Sequence, residues 1–215
     1  MKKFITFEGI EGSGKSTQIK LVAEYLVEKK IPHVVTQEPT GTDIGRKIGS
    51  ILFNREHYYM CAEAEIFLFC AARAQHVREI IMPALEQNKV VLCDRFSDAT
   101  YAYQGDGRGL DREFIKLIND YSAMRLKPDM TLLFDLPVEI GLQRATDRNN
   151  RLDQPSAADR FERENIDFHR RIRDGYLNIL KNDPGRFRLI DANRDIKVIQ
   201  QEVRRHVGDF INLQN

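Results

Sequence analysis

The chain has 215 residues, and its 33 basic and 32 acidic residues leave a formal net charge of +1 at pH 7. The length fits a single α/β domain over residues 1–215, and the balanced charge predicts neither nucleic acid nor an anionic membrane as a partner. No apolar stretch approaches the roughly 18 residues that span a membrane. The odd number of cysteines (Cys61, Cys70 and Cys93), at spacings that fit no metal site and within apolar runs, predicts buried thiols in a reducing compartment, the cytoplasm.

The first predicted strand, residues 4–7, leads directly into a glycine-rich segment. Residues 9–16 match the Walker A pattern G-x-x-x-x-G-K-[ST], and apolar residues at helical spacing follow. Such a loop and the helix N-terminus behind it bind phosphate through backbone N–H groups. Lys15 can reach the β- and γ-phosphates, and Ser16 can ligate Mg²⁺. The pattern predicts a site for a nucleoside triphosphate, built from Ile10, Glu11, Gly12, Ser13, Gly14, Lys15, Ser16 and Thr17.

Strands and helices alternate along the rest of the chain. The predicted strands are 33–36, 90–93, 130–134 and 187–190, and the predicted helices are 43–53, 62–87, 110–121, 138–145, 159–180 and 196–210. Continuous apolar strands between helices favour a P-loop NTPase three-layer α/β fold, a five-stranded parallel sheet covered by helices on both faces. Ligands of such sheets bind beyond the carboxyl ends of the strands. The acidic residues at those ends are Glu8, Glu38, Asp94, Asp135 and Asp191.

A second polar signal follows the strand predicted at 90–93. A carboxylate at this strand end, Asp94, suits Mg²⁺, held directly or through water. The guanidinium of Arg95 is a planar fork that suits phosphate. Residues 94–105 combine hydroxyl, amide and aromatic groups, which is typical of a pocket that reads a base and a sugar. We therefore expect Ser16 and Asp94 to hold the metal.

These segments together resemble bacterial thymidylate kinases, which phosphorylate dTMP with ATP. The matching segments run collinearly along the chain at 7–17, 38–39, 68–76, 94–96, 102–105, 107–110 and 159–162. The resemblance implies transfer of the γ-phosphoryl group of MgATP to dTMP in dTTP biosynthesis. It implies ATP and dTMP as the small-molecule partners and Mg²⁺ as the cofactor.

The resemblance also implies how dTMP is held. In this family the ring at Phe69 stacks on thymine and the arginine at Arg73, one helical turn later, bonds the base edge. Thr100 matches the position that reads the pyrimidine edge, with Gln104 nearby, and Tyr103 would exclude a ribose 2′-hydroxyl. The implied dTMP-binding residues are Glu11, Glu38, Phe69, Arg73, Arg95, Thr100, Tyr103 and Gln104.

Cations for phosphoryl transfer must come partly from outside the phosphate loop. Glu11 matches the carboxylate that meets the sugar 3′-hydroxyl, but the next residue, Gly12, stands where some family members have an arginine. Residues 144–158 resemble the family's short mobile lid, whose arginines close over ATP; a solvated charged linker is the alternative. The expected catalytic residues are Lys15, Arg95, Arg148 and Arg151, and Arg144 is expected to contact ATP.

The region expected to hold the acceptor phosphate departs from the family pattern. Gln37 and Thr40 replace an arginine and a glycine, and Gly49 stands where an arginine normally helps to hold the dTMP phosphate. Arg46 lies one helical turn before Gly49, on about the same face. We therefore expect Arg46 and Arg95 together to hold this phosphate, although Arg46 could equally be a solvated helix arginine.

Two further questions stay open at the level of sequence. The helix predicted at 62–87 is apolar all round over 66–72, which fits either burial within one core or, as in the family, a homodimer interface. Another nucleoside monophosphate kinase or a deoxynucleoside kinase is an alternative activity, although the latter needs a carboxylate base. A nucleotide-dependent switch is disfavoured because no Asn-Lys-x-Asp element occurs.

Overall fold

Five parallel strands form the centre of the molecule. In the computed structural model, which describes residues 3–151 and 160–211, the strands are β1 (Lys3–Glu8), β2 (His33–Gln37), β3 (Val90–Asp94), β4 (Met130–Asp135) and β5 (Phe187–Asp191). Their order across the sheet is β2-β3-β1-β4-β5. Every neighbouring pair is parallel. The predicted α/β fold with a five-stranded parallel sheet is confirmed.

Helices connect the strands in chain order. They are α1 (Lys15–Glu28), α2 (Asp43–Leu52), α3 (Ala62–His76), α4 (Met82–Glu86), α5 (Ser97–Thr100), α6 (Arg112–Ser122), α7 (Val138–Arg151), α8 (Ile166–Asn182) and α9 (Ile196–Phe210). A π-helical turn, Val77–Ile81, joins α3 to α4, and a second, Tyr101–Gly107, extends α5. Short 3₁₀ turns lie at Arg55–His57 and Phe161–Arg163.

Two predicted helices have wrong boundaries, and a helical segment was missed. The helix expected to end at 145 continues to Arg151, where charged and amide residues carry no apolar period but Gln143 and Asp147 bond across one turn at 2.8 Å. The helix expected over 159–180 is instead a 3₁₀ turn followed by α8, which the Asn165 side chain caps by accepting from the N–H of Phe168. The helix expected over 62–87 is present over 62–86, with the π-helical turn in its middle. The missed segment is 97–107, whose aromatic and polar residues show no apolar repeat.

Side chains pack against both faces of the sheet, because successive residues of a strand point to opposite sides. Phe4, Val91 and Cys93 pack with buried residues of the turn Val77–Ile81 and of α4. Ile5, Phe7 and Leu92 belong to a larger cluster with α1, α8 and α9. The helical cover that the sequence predicts on both faces is therefore present.

The carboxyl ends of the strands meet at one edge of the sheet. Phe7 of β1 lies opposite Asp94 of β3, so the phosphate loop after β1 and the residues after β3 leave the sheet side by side. Glu8, Asp94, Asp135 and Asp191 are the last residues of their strands, and Glu38 follows β2 directly. Within the described residues, none of the helices is both long and apolar enough to cross a membrane.

Candidate active site

The phosphate loop lies between β1 and α1 and depends on close backbone contacts. Gly9 and Gly12 have φ angles of +139° and +67°, which side chains rarely adopt. A Cβ at Gly9 would lie 2.4 Å from the carbonyl oxygen of Phe134, and one at Gly12 would lie 2.0 Å from that of Gly141. Any other residue would push the loop away from β4 and α7.

Lys15 is buried beneath this loop. Its Nζ donates to the carbonyl oxygens of Gly9 at 3.0 Å and Ile10 at 2.9 Å, and to Oγ of Ser13 at 3.1 Å. Burial lowers the pKa of Lys15 from about 10.5 to about 8, and the positive charge of Arg95 adds to this effect. Oxygen atoms of the loop itself therefore surround the ammonium group of Lys15.

Arg95 joins the phosphate loop to the residues after β3. Its Nη1 donates to the carbonyl of Gly9 at 2.9 Å and to the hydroxyl of Tyr176 at 3.1 Å. Its Nη2 lies 3.2 Å from Oε1 of Glu11, and its guanidinium carbon lies 4.8 Å from the centre of the Tyr103 ring. The positive charge of Arg95 is thus held between the phosphate loop and the residues that are predicted to bind the sugar.

Glu11 is held by three neighbours. The hydroxyl of Tyr103 donates to Oε1, and Nδ1 of the buried His169 lies 3.3 Å from Oε2. Burial alone would raise the pKa of Glu11, but His169, Arg95 and Tyr103 outweigh it and hold that pKa well below its ordinary value. Glu11 is therefore a fixed negative charge inside the loop.

The two residues predicted to hold Mg²⁺ lie together. The hydroxyl of Ser16, at the start of α1, donates to Oδ2 of Asp94 at 3.0 Å. Hydroxyl and carboxylate oxygens are the hard ligands that Mg²⁺ takes from proteins, usually with phosphates and water completing the shell. The donor set therefore fits this ion.

Arg73 of α3 is a buried residue of the site and lies next to Phe96. Its side chain is 1% exposed, and Nε donates to Oε2 of Glu38 at 2.9 Å. Nη1 donates to Asn119 at 2.6 Å, while Nη2 donates to the hydroxyl oxygen of Thr100 at 3.0 Å and to the carbonyl of Phe96 at 3.1 Å. This network fixes the guanidinium rigidly between α3 and α5.

One cavity of about 420 Å³ connects these groups. Its walls run from the phosphate loop, past Asp94 and Arg95, to Phe69 and Arg73 on α3. The sequence-predicted residues that line it are Glu11, Gly12, Ser13, Gly14, Lys15, Ser16, Thr17, Glu38, Phe69, Arg73, Asp94, Arg95, Thr100, Tyr103, Gln104, Arg144 and Arg148. The structure thus brings most of the predicted site together.

Two of the lid arginines line this cavity from α7. Arg144 donates to the carbonyl oxygen of Ala192 at 2.9 Å, and Arg148 lies 2.6 Å from Oε1 of Glu162. Arg151 is the last residue of α7, and its side chain lies outside the described residues. The predicted lid is helical as far as residue 151, and its remainder, 152–158, also lies outside them.

Two predicted residues do not line the cavity. Ile10 is buried, and a Cβ at Gly141 would lie 3.1 Å from its side chain, so it packs the loop against α7. Arg46 is on α2, where its 62% exposed side chain pairs with Asp43 at 3.1 Å. The proposed grip of Arg46 on a phosphate stays a prediction.

Sequence reasoning gave no role to several residues that line the cavity. Phe53 follows α2, and Phe161 lies in the 3₁₀ turn after the lid; their ring centres are 6.3 Å apart. Phe161 also lies 6.1 Å from Phe69 and 5.8 Å from Tyr103. The aromatic character of positions 53 and 161 was the available signal, but nothing in the sequence placed them together. The other lining residues without an assigned role are Pro39, Phe96, Ala99 and Glu162.

Comparison with known proteins gives a consistent result along the chain. A family model described as thymidylate kinase matches residues 7–203. A thymidylate kinase of Syntrophus aciditrophicus (strain SB) is 53% identical over 207 residues, 96% of this chain and 94% of that protein. Proteins of the same name from Geotalea uraniireducens (strain Rf4) and Desulfovibrio desulfuricans (strain ATCC 27774 / DSM 6949 / MB) are 50% and 49% identical. They cover 90% and 97% of this chain, and 91% and 96% of their own lengths.

Proposed function

The chain belongs to the thymidylate kinase family, and we propose that it transfers the γ-phosphoryl group of MgATP to the 5′-phosphate of dTMP, giving dTDP and ADP. The observation that carries the proposal is the single cavity that joins the phosphate loop to Phe69 and Arg73. A donor phosphate on the loop and a base beside Phe69 would place the acceptor phosphate between them, next to Arg95. We propose that residues 1–215 act as one domain.

Catalysis in this proposal is mainly electrostatic. Phosphoryl transfer spreads negative charge over the equatorial oxygens, so fixed cations stabilise the transition state. Lys15 leaves its carbonyl partners to bind the donor phosphates, and Arg95 bonds the acceptor phosphate. Arg148, with Arg151 as the alternative, covers the transferred group, while Arg144 contacts ATP.

Mg²⁺ belongs to this proposal as the cofactor that neutralises charge on the donor phosphates. Ser16 and Asp94 would hold it, because their oxygen atoms already lie within 3.0 Å of each other. Glu11 and Tyr103 would meet the deoxyribose. Their contact with each other leaves little room for an additional 2′-hydroxyl, which supports selection of deoxynucleotides.

The proposal includes a homodimer formed through the helix predicted at 62–87. Phe67 on α3 is 54% exposed, and Leu117 and Tyr121 on α6 are 68% and 89% exposed. The Phe67 ring lies 6.0 Å from that of Phe114, so α3 and α6 present one continuous apolar surface. Apolar area of this kind is usually covered by a partner.

All three cysteines are free thiols, which fits a reducing compartment and supports a cytoplasmic location. Cys70 and Cys93 are buried as predicted, but the predicted burial of Cys61 is wrong, because this residue lies exposed just before the start of α3.

A coupled ADP-release assay tests the proposed activity. We expect the highest kcat/KM with dTMP, lower values with dUMP, dCMP, AMP and GMP, and no turnover of thymidine, because its hydroxyl has no phosphate for Arg95 to hold. Lys15→Met should lower kcat by at least about 100-fold, as loss of a group that stabilises the transition state does.

The matched control is Lys20→Met on the exposed side of α1, which should keep wild-type kinetics. Circular dichroism would show that both variants fold. A wild-type protein that prefers AMP or GMP, or that phosphorylates thymidine, would contradict the proposal.

A further inference from the structure

Glu65 on α3 is a fully buried carboxylate that has no part in the proposed catalysis or substrate contacts. Its Oε2 accepts from Nη2 of Arg160 at 2.6 Å and from Nη2 of Arg108 at 3.1 Å. Its Oε1 accepts from Nε2 of Gln104 at 2.8 Å and from Nε of Arg108 at 3.3 Å. Two guanidinium groups therefore compensate its charge, and the contact with Gln104 reaches a residue of the cavity wall.

This contact fixes the direction of the Gln104 side-chain amide. A carboxylate paired with two arginines is ionised, and an ionised carboxylate only accepts hydrogen bonds. Gln104 must therefore turn its NH₂ group toward Glu65, because the reverse orientation would place two acceptors against each other. The two ends of the amide, otherwise hard to distinguish, are assigned by this partner.

The orientation decides what Gln104 offers to a ligand. Gln104 lines the cavity with Phe69, Arg73 and Thr100, and with its nitrogen bound to Glu65 the atom left for a ligand is the acceptor Oε1. Thymine and uracil carry an N–H donor at ring position 3, whereas cytosine has an acceptor there. A hydrogen-bond acceptor in the cavity wall would therefore bind thymine and uracil and would repel the acceptor N3 of cytosine.

We propose that Glu65 is a positioning residue that makes this site select pyrimidines with an N3–H group over cytosine, by holding the Gln104 amide in one orientation. The inference rests on the proposed function, since it assumes that the base of the acceptor lies beside Phe69. Glu65 itself lies behind the wall and need not touch the substrate.

A Glu65→Gln variant should reverse the selection. The Oε2 position faces two arginine donors, at 2.6 and 3.1 Å, whereas the Oε1 position faces one, Nε of Arg108, at 3.3 Å. The oxygen of the new amide therefore stays at the Oε2 position, and its NH₂ group takes the Oε1 position. Gln104 then turns its own oxygen toward that NH₂ group and its nitrogen toward the cavity. The wall becomes a donor, which suits the ring N3 of cytosine.

The test measures binding of dTMP and dCMP by isothermal titration calorimetry, together with kcat/KM for both, in the full-length protein. For Glu65→Gln we expect the dTMP-to-dCMP ratio of affinities to fall at least about tenfold, the usual effect of a wrongly matched polar group in a buried site. For Gln104→Met we expect dTMP affinity to fall by a similar factor while dCMP affinity changes little.

The matched control is Arg108→Met. It removes one guanidinium from the same network but leaves Glu65 ionised against Arg160 and still bonded to Gln104, so the ratio should stay at the wild-type value even where thermal stability falls. A purely structural role for Glu65 would instead weaken both nucleotides in parallel in Glu65→Gln and in Arg108→Met.

An unchanged ratio in a folded Glu65→Gln protein overturns the inference, and so does equal loss of dTMP and dCMP in Gln104→Met. If Glu65→Gln does not fold, Gln104→Met alone decides the result. A wild-type protein that binds dTMP selectively but transfers no phosphate would refute the proposed function and leave the inference about base selection standing.

Discussion

At the scale of single residues, Glu8 shows how burial changes acid–base behaviour at the end of β1. Its Oε1 accepts from the N–H of Phe96 and its Oε2 from the hydroxyl of Tyr176, both at 2.7 Å. Burial, together with the negative charge of Asp98, raises the pKa of Glu8 from about 4.5 to about 8. The folded protein therefore binds a proton at neutral pH that an unfolded chain would release.

This shift predicts a loss of stability with rising pH. Between pH 4.5 and 8 the folded state binds more protons at Glu8 than the unfolded state does, so the contribution to stability is complete below pH 4.5 and disappears as the pH rises toward 8. Glu8→Gln, which stays neutral, should flatten the fall in Tm between pH 5 and 8. Lys15, whose pKa is lowered to about 8, has the opposite effect only above that pH.

Thermal melts across this range, with Glu28→Gln on the exposed side of α1 as the control, would check the prediction. Tm profiles of wild type and Glu8→Gln that run parallel from pH 5 to 8 would contradict it.

Residue chemistry predicted the arrangement of the phosphate loop better than that of the other cavity walls. Glycines, Lys15 and Ser16 are adjacent in sequence, so their spacing already defines a loop. Phe53 and Phe161 meet only because α2 and the segment after the lid converge in three dimensions. Glu65 reads as an ordinary acidic residue of a helix's first turn, and its partners Arg108 and Arg160 lie far along the chain.

At the scale of secondary structure, strands were predictable and helix ends were not. Continuous apolar runs such as 90–93 and 130–134 can be buried on both sides only in a central strand, so their positions were found to within one residue. The last turns of α7 and the segment 97–107 are held by polar contacts and by π-helical bonds, such as that from the N–H of Arg108 to the carbonyl of Tyr103 at 2.9 Å. The spacing of apolar residues in the sequence does not predict such contacts.

Gly49 of α2 lies against Thr40, which precedes α2, and both positions depart from the family pattern. A Cβ at Gly49 would lie 2.6 Å from Cγ2 of Thr40, whose hydroxyl accepts from the amide of Gln37. Gly49→Ala should therefore lower the free energy of unfolding by about 1–3 kcal/mol, the usual cost of overpacking. In a Thr40→Ser background, which lacks that methyl group, the same change should be neutral or stabilising, since alanine favours helix.

Urea unfolding of the two single variants and the double variant measures this coupling. Equal effects of Gly49→Ala in both backgrounds would show that Thr40 does not limit the space at Gly49.

The position of Arg148 on α7 predicts a specific kinetic defect. Arg148 faces the cavity and pairs with Glu162 at 2.6 Å, so it is held near the place where charge would develop. Arg148→Ala should lower kcat by at least about 100-fold, with a much smaller change in the KM for dTMP, because an interaction made mainly in the transition state is lost. Steady-state kinetics of Arg148→Ala and Arg151→Ala would separate the two arginines. A collapse of kcat in Arg151→Ala alone would transfer the role to Arg151.

At the scale of the whole molecule, the apolar surface of α3 and α6 predicts the state of assembly. We expect light scattering after size exclusion to give about 50 kDa, twice the 25.0 kDa of one chain. Charges placed on the interface should separate the subunits, so Leu117→Glu with Tyr121→Glu should give a monomer. Tyr58→Glu changes an equally exposed aromatic residue, 81% exposed and outside this surface, and should leave the dimer intact. A wild-type species of 25 kDa at micromolar concentration would contradict the dimer.

Arg95 contacts both halves of the proposed site through a single side chain. One guanidinium touches the backbone of the donor loop at Gly9, the carboxylate of Glu11 and the ring of Tyr103. A nucleotide that moves this group on one side alters the free energy of binding on the other. Thermodynamic linkage then requires ATP to change the affinity for dTMP by the same factor as dTMP changes the affinity for ATP. Whichever substrate enters first, calorimetric titrations in the two orders must close the same cycle.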